Sequence, residues 1–320
     1  MERRITAALA ATLMGCTVLT GCGSQTGSGP DDSTGARAEK RVVLDPDKDY
    51  GDDYADGVLP VGDSRYVTSA AKKGYVYACV AYAQSLSQGG GGAQTRGPWF
   101  SSDGTTYDLD EKVSVSGTVE WPADSSIVTK GRKRIVTTND LPEHHTGTFP
   151  VQPADPAYSY DRNPNSIKEQ HVSLTLTRSP EYGAAQCMGG QVGVMTTGAE
   201  LFNAFDAGGR DAGAWEVQDG CSGHPQMQGA YHYHTLSACI HRTSVRKVIG
   251  WALDGFPITG PVVGKGSILT TKDLDACHGI TSTVRIDGKQ VRTYHYVMTQ
   301  DFPYSVSCFR ATPVSTGPVG

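Results

Sequence analysis

Apolar and polar residues alternate along much of this chain. Val113-Ser114-Val115-Ser116-Gly117-Thr118-Val119-Glu120-Trp121 and Val172-Ser173-Leu174-Thr175-Leu176 both carry apolar side chains at every second position. A period of two is the pattern of a half-buried strand. Gly74-Tyr75-Val76-Tyr77-Ala78-Cys79-Val80 and Ile135-Val136 add further β-forming runs. Ile286-Asp287-Gly288-Lys289 lies between two alternating runs and reads as a hairpin turn. The 3.6-residue period of helices is almost absent, and short helices are expected only near residues 203–216 and 270–276. With 39 glycines and 17 prolines, the composition favours turn-rich β architecture over bundles. The expected fold is mainly β, with antiparallel sheets in a sandwich-like arrangement, few short helices and stabilising disulfides.

The first residues depart from this pattern. Glu2-Arg3-Arg4 is a charged start, and residues 5–18 form an apolar Ala/Leu-rich segment too short to span a bilayer. It ends in Leu19-Thr20-Gly21-Cys22, a lipobox pattern. Residues 1–21 are therefore expected to be a lipoprotein signal peptide, with Cys22 acylated. Two lipid chains on that cysteine would anchor the protein to a membrane without a spanning helix. Residues 22–60 read as a flexible, acidic tether, because Gly, Ser, Thr and Asp cannot bury a core. Beyond it we expect a β-rich region over 61–130 and a second over 131–312. The formal charge is −5, and −6 once Glu2, Arg3 and Arg4 are removed with the signal. That balance, with no basic stripe, argues against nucleic acid as a partner. The short cluster Lys130-Gly131-Arg132-Lys133-Arg134 reads as a solvated turn.

Of eight cysteines, Cys16 lies in the signal and Cys22 is the lipidation site. The remaining six are Cys79, Cys187, Cys221, Cys239, Cys277 and Cys308. An even number in an exported chain argues for disulfides, with 15 connectivities open. No Cys-x-x-Cys occurs, which weakens a zinc–thiolate reading.

Tyr231-His232-Tyr233-His234 is the most informative stretch. On a strand, His232 and His234 share one face, while Tyr231 and Tyr233 share the other. Two imidazoles about 6.5 Å apart along a strand can reach one metal ion. A second copy, Tyr294-His295-Tyr296-Val297, follows downstream. Each copy is preceded by a cysteine with a nearby glycine and histidine (Cys221, Gly223 and His224; Cys277, His278 and Gly279). Each is followed by another cysteine, Cys239 or Cys308. This degenerate repeat favours Cys221–Cys239 and Cys277–Cys308 as bridges, leaving Cys79–Cys187. If the two Tyr-His-Tyr strands sit side by side, His295 joins His232 and His234, with His144 or His224 as fourth ligand. All-histidine sites suit zinc, copper, iron or nickel; the nearby tyrosines admit redox chemistry, so copper or zinc is expected, with copper slightly favoured.

The order of these elements resembles the YHYH domain family, named for its tetrapeptide. The resemblance extends over residues 131–310. It includes Leu141-Pro142-Glu143-His144-His145-Thr146-Gly147, Asn163-Pro164-Asn165-Ser166-Ile167, Gln191-Val192-Gly193-Val194, Gly250-Trp251-Ala252-Leu253-Asp254-Gly255-Phe256-Pro257-Ile258 and Asp301-Phe302-Pro303-Tyr304. Thr259 stands where the family leads us to expect an aromatic residue, and the second Tyr-His-Tyr ends in Val297 rather than His. The resemblance implies a YHYH domain over 131–312 in a bacterial lipoprotein, and it supports the domain far more than any activity.

Other candidates are weaker. Asp254 is a candidate carboxylate for orienting a ligand histidine or acting as a base, against the bland reading of an Asp-Gly turn. His171, His241 and His278 read as structural. The acidic run from Asp45 to Asp56 invites a calcium loop but lacks glycine at the sixth position and glutamate at the twelfth. Three function classes follow. The first is a membrane-anchored, extracytoplasmic protein binding copper or zinc through histidines. The second is a metal-dependent oxidase or hydrolase. The third is a non-catalytic surface or adhesion module with structural histidines. No Gly-x-Ser-x-Gly elbow is present to support a serine hydrolase.

Overall fold

The computed structural model describes residues 41–83, 95–241, 243–264 and 266–316. The expected signal peptide, Cys16, Cys22, the tether up to residue 40 and the glycine run at 89–92 lie outside the described residues. Residues 39–320 form one compact unit, which contains both expected β-rich regions. Among the described residues the fold is mainly β, with only three short helical turns. These are the 3-10 turns Pro156–Ser159 and Thr271–Asp273 and the α-helix α1, Ala212–Trp215. Two fall where the sequence allows them; the first begins at a proline and carries no helical period.

Four small strands come first. β1 (Val58–Pro60) pairs with β4 (Thr106–Asp108), and β2 (Tyr66–Val67) with β3 (Val76–Tyr77). β5 (Ser125–Lys130), β6 (Lys133–Thr138) and β7 (Val172–Thr177) form an antiparallel sheet. Its inward residues Val136, Leu174 and Leu176 join the same buried cluster as Val194, Trp251 and Ile258 of the large sheet. Arg134 of β6 lies with its guanidinium 3.3 Å from the centre of the Trp251 ring and pairs with Asp287. This layer on the large sheet is the sandwich-like feature the alternation predicts.

The large sheet has eight strands. They are β8 (Gln191–Met195), β9 (Glu200–Phe202), β10 (Gly223–Pro225), β11 (Tyr231–Tyr233), β12 (Val248–Ala252), β13 (Pro257–Thr259), β16 (Gly279–Ile286) and β17 (Lys289–Val297). β14 (Val262–Gly264) and β15 (Ser267–Ile268) form a separate hairpin. The order is β10-β11-β9-β8-β12-β13-β17-β16. Two of its pairs, β11 with β9 and β13 with β17, are parallel, so the sheet is mixed rather than purely antiparallel.

That order is a palindrome about the β8–β12 pair. The degenerate repeat of the sequence is the visible part of two structurally equivalent halves. Gln191–Asp211 maps onto Val248–Ile268 by a constant shift of 57 residues. Both halves carry a register irregularity at the same place, between Gln191 and Gly193 and between Val248 and Gly250. Both turn on a glycine in left-handed backbone, Gly198 (φ +92°) and Gly255 (φ +89°). At the outer edges, Gly223, His224 and Pro225 face Tyr233, His232 and Tyr231. In the other half, Gly279, Ile280 and Thr281 face Tyr296, His295 and Tyr294. The three bridges are Cys79–Cys187, Cys221–Cys239 and Cys277–Cys308, as the repeat predicts.

One expectation needs correction. Residues 41–60 are not a free tether. Thr281 N–H donates to Val42 O at 2.8 Å, and Leu44 N–H donates to Thr281 O at 3.0 Å. Tyr50 is buried in a cluster with Val245, Leu269, Leu274, Ile280 and Val297. The acidic composition hides this because its carboxylates face outward or serve turns. Asp45 Oδ1 accepts from Asp47 N, and Asp49 Oδ1 accepts from Gly51 N. The apolar residues between them reach the core.

Candidate metal centre

β10 and β11 form a tight antiparallel pair at one edge of the sheet. Their register places His224 directly beside His232. His234, two residues after His232 and the first past the strand end, shares the His232 face. Glu216 arrives from a different element, one residue after α1. Asp211 caps that helix by accepting from Ala214 N. The four side chains converge. His232 Nε2 lies 3.1 Å from His234 Nε2. Glu216 Oε2 lies 3.4 Å from His224 Nε2 and 3.3 Å from His234 Nε2. The nitrogen donors of His224, His232 and His234 all lie within 4.8 Å of one another, and all three residues are buried.

The hydrogen bonds around these rings fix which nitrogen faces inward. His234 Nδ1 meets Asn203 O at 2.5 Å, and His232 Nδ1 meets Ala230 O at 3.3 Å. A carbonyl only accepts, so each Nδ1 carries the proton and each Nε2 presents a lone pair. Outer hydrogen bonds of this kind orient metal-ligating imidazoles. Phe202 stacks on His232 with ring centres 4.1 Å apart and holds its plane. Two nitrogens 3.1 Å apart, each 2.0–2.1 Å from a zinc-sized ion, subtend about 98° at it, near the tetrahedral value.

Charge points the same way. Burial, followed by the neighbouring imidazoles, holds His224 and His232 well below the usual histidine range. Burial pushes His234 down to about 4. Burial, then Asp206 and Asp161, raises Glu216 well above the usual glutamate range. His224 Nδ1, His224 Nε2 and Glu216 Oε2 are buried with no hydrogen-bond partner. Such atoms carry a desolvation cost unless something pairs with them. Neutral imidazoles plus a carboxylate are the donor set for a divalent transition metal, and such an ion would satisfy Glu216 Oε2 and one of the two His224 nitrogens. The residues fit the group. The cluster opens onto a cavity of about 430 Å³, whose walls include Tyr82, Asp161, Met188, Phe202, Phe205 and Asp206.

Several sequence candidates lie elsewhere. His295 does not join the group. Its Nδ1 meets Thr259 Oγ1 at 2.9 Å and its Nε2 meets Ser282 Oγ at 2.7 Å. The two Tyr-His-Tyr strands are separated by the four strands between β11 and β17, so they cannot pool their histidines. His144 sits on the tyrosine face of β11, with Nε2 against the Tyr233 hydroxyl at 2.5 Å and Nδ1 against its neighbour's carbonyl. It also lies near Cys221 and Cys239, but those sulfurs are tied in a disulfide and are not thiolate donors. Asp254 orients no ligand histidine. It accepts from Tyr296 Oη at 2.6 Å and from the backbone of Phe256, Arg310 and Ala311. Of the five proposed ligands, His224, His232 and His234 are brought together. Glu216 is the residue the sequence reading missed. Its one signal is a lone charge inside Ala212-Gly213-Ala214-Trp215-Glu216-Val217, an otherwise apolar run.

Residues 169–267 match the sequence family described as YHYH protein, so the chain is a YHYH domain-containing protein. That span covers the histidine cluster and the central strands, and stops before the second Tyr-His-Tyr strand. No curated protein and no solved structure matches this chain.

Proposed function

We propose that this is an extracytoplasmic protein, lipid-anchored through Cys22, that binds one divalent transition metal, copper or zinc, at His224, His232, His234 and Glu216. The observation that carries the metal reading is the convergence of three buried imidazoles, two of them oriented by backbone carbonyls, and the Glu216 carboxylate. Nitrogen and oxygen donors without thiolate favour zinc or copper over softer-ligand sites. The anchoring rests on the lipobox and on three disulfides, which form and persist in oxidising compartments. No described helix is long and apolar enough to cross a membrane.

The test is elemental analysis of purified protein after chelation and reloading with copper or zinc. One equivalent per chain supports the reading. Glu216→Gln keeps the shape but removes the charge, and it should weaken binding by about tenfold or more. Cys22→Ala should release the protein to the soluble fraction or leave the precursor unprocessed; normal processing with unchanged membrane association would overturn the anchor.

One observation favours a metal-dependent enzyme as second reading. The donor set lies in the wall of a cavity large enough for a metabolite rather than inside a sealed core. A bound metal would supply Lewis acidity or an activated water there. Glu216 is then placed to take a proton, and the apolar wall formed by Phe202 and Phe205 to exclude bulk water.

A further inference from the structure

The two halves place different side chains around one equivalent spot. His224 and Ile280 are equivalent, because they face His232 and His295 in the matching registers. His234 and Val297 each follow the second tyrosine of their strand. Asp206 and Val263 are related by the 57-residue shift that relates β9 to β13. In the first half, His224, His234 and Asp206 line the open cavity. In the second half, Ile280, Val297 and Val263 belong to a closed apolar cluster that is completed by Tyr50, Val42 and Leu44. Tyr50 is only 6% exposed, and its hydroxyl accepts a hydrogen bond from Asp45 N at 3.0 Å. The second half therefore takes a phenol side chain, delivered by the turn at residues 45–48, into a cluster built at the place where the first half keeps its cavity.

The cavity walls suit the same kind of guest. Tyr82, Phe202 and Phe205 present rings, and Ala78 and Met188 add apolar surface. Aromatic guests prefer such edge and stacked contacts. Phe202 itself stacks on His232, with ring centres 4.1 Å apart, so a ring lying against Phe202 sits beside the metal-facing nitrogens.

We propose that the first-half cavity binds a phenol, with the ring against Phe202 and Phe205 and the oxygen at the metal held by His224, His232, His234 and Glu216. This rests on the metal reading above. The phenol can be a free small molecule or a tyrosyl side chain, which share the recognised chemistry.

The experiment uses the full-length protein loaded with one equivalent of zinc, verified by elemental analysis. Calorimetric titration compares 4-methylphenol with 4-methylcyclohexanol, which has similar size but no aromatic ring. The expected result is at least tenfold tighter binding of 4-methylphenol. N-acetyltyrosinamide serves as the tyrosyl arm: binding at or above the strength of 4-methylphenol assigns the source to a peptide, and weaker binding to a free phenol. Gly190→Leu is the matching variant. Gly190 lines the cavity, and a side chain begun there meets only the Phe202 ring, at 3.9 Å. It should cut 4-methylphenol affinity at least tenfold while leaving the zinc stoichiometry unchanged. Nuclear Overhauser contacts between 4-methylphenol and the Phe202 ring give a readout independent of any variant. Equal binding of the two alcohols, no binding to zinc-loaded protein, or ring contacts away from Phe202 would overturn the phenol inference and leave the metal centre standing. Failure to take up zinc or copper would overturn the metal reading, and this inference with it.

Discussion

The two halves of the large sheet share a backbone plan and differ in what they bury. Each half hangs a tyrosine from an aspartate that also gathers the cysteine and glycine ahead of it. Asp219 accepts from Tyr231 Oη, Cys221 N and Gly223 N. Asp275 accepts from Tyr294 Oη, Cys277 N and Gly279 N. The framework positions a histidine at the same register point in both, His232 and His295. What surrounds that histidine decides its chemistry. In the second half, Thr259 and Ser282 satisfy both ring nitrogens, and Ile280 and Val297 close the space. In the first half, Phe202 replaces Thr259, His224 replaces Ile280, His234 replaces Val297, and His232 Nε2 faces His234 Nε2 at 3.1 Å. The same Tyr-His-Tyr strand is thus a packing element in one setting and, on the proposed metal reading, a donor strand in the other. A motif supplies direction; its neighbours supply function.

The largest expected difference between the halves lies in their aspartates. Asp275 also holds Arg310, buried at 2% exposure, with Nη2 at 2.7 Å. Asp275→Ala removes the buried carboxylate that pairs with that cation and should cost about 3–5 kcal/mol. Asp219 has no such cation among its hydrogen-bond partners, and Asp219→Ala should cost about 1–3 kcal/mol. Denaturant midpoints of the two variants measure this, and equal losses would break the comparison. The bridges come next. Replacing Cys277 and Cys308 by alanine should cost about 3–4 kcal/mol and replacing Cys221 and Cys239 about 3 kcal/mol, the larger loop losing slightly more in the chain-entropy account.

pH sharpens the comparison further. Burial pushes His295 and His278 down to about 3, from an ordinary value near 6.5. The unfolded chain therefore takes up more protons than the folded chain between those values. Stability is full above pH 6.5 and falls as pH drops toward 3, by roughly 1 kcal/mol per pH unit for each histidine. His295→Gln should reduce that slope, as read from unfolding free energies across the window; an unchanged slope would remove His295 from the account. On the metal reading, protons also compete for the first-half imidazoles, and because burial holds His234 down to about 4, metal affinity should weaken only as pH falls toward that value. The smallest effect is at the equivalent turn glycines. Gly255→Ala brings Cβ to 2.5 Å from Thr177 O, and Gly198→Ala brings it to 3.1 Å from Thr138 Oγ1. Both are also strained by left-handed backbone, at about 1–2 kcal/mol, with Gly255→Ala the worse.

Much of this was legible in the sequence, and the limits are physical. Period-two alternation marked β7 at Val172–Leu176, where one face packs on the core, but Val113–Trp121 alternates as cleanly and forms only isolated bridges at Val115 and Val119. The cysteine spacing around two Tyr-His-Tyr segments gave the pairing because the repeat is a real structural unit. His232 and His234 share a face by strand geometry alone. The position of His295 was not legible, because sheet order depends on long-range pairing that no local pattern carries. The sequence puts the two Tyr-His-Tyr strands in one series, while the fold puts them near opposite edges. Glu216 was not legible for a related reason: it reaches the site from a four-residue helix, with no periodicity to announce its direction. Residues 41–60 misled because the average composition of a segment says little about the few apolar side chains that dock.

The central claim is that metal binding belongs to the first half alone. Elemental analysis after chelation and reloading tests it most directly, on the unaltered protein and on His232→Ala, His234→Ala and His295→Ala. The account predicts one equivalent of copper or zinc in the unaltered protein and in His295→Ala, and none in His232→Ala or His234→Ala. Retention of one equivalent by the His232→Ala/His234→Ala double variant, its loss in a folded His295→Ala variant, or no uptake by the unaltered protein would contradict it.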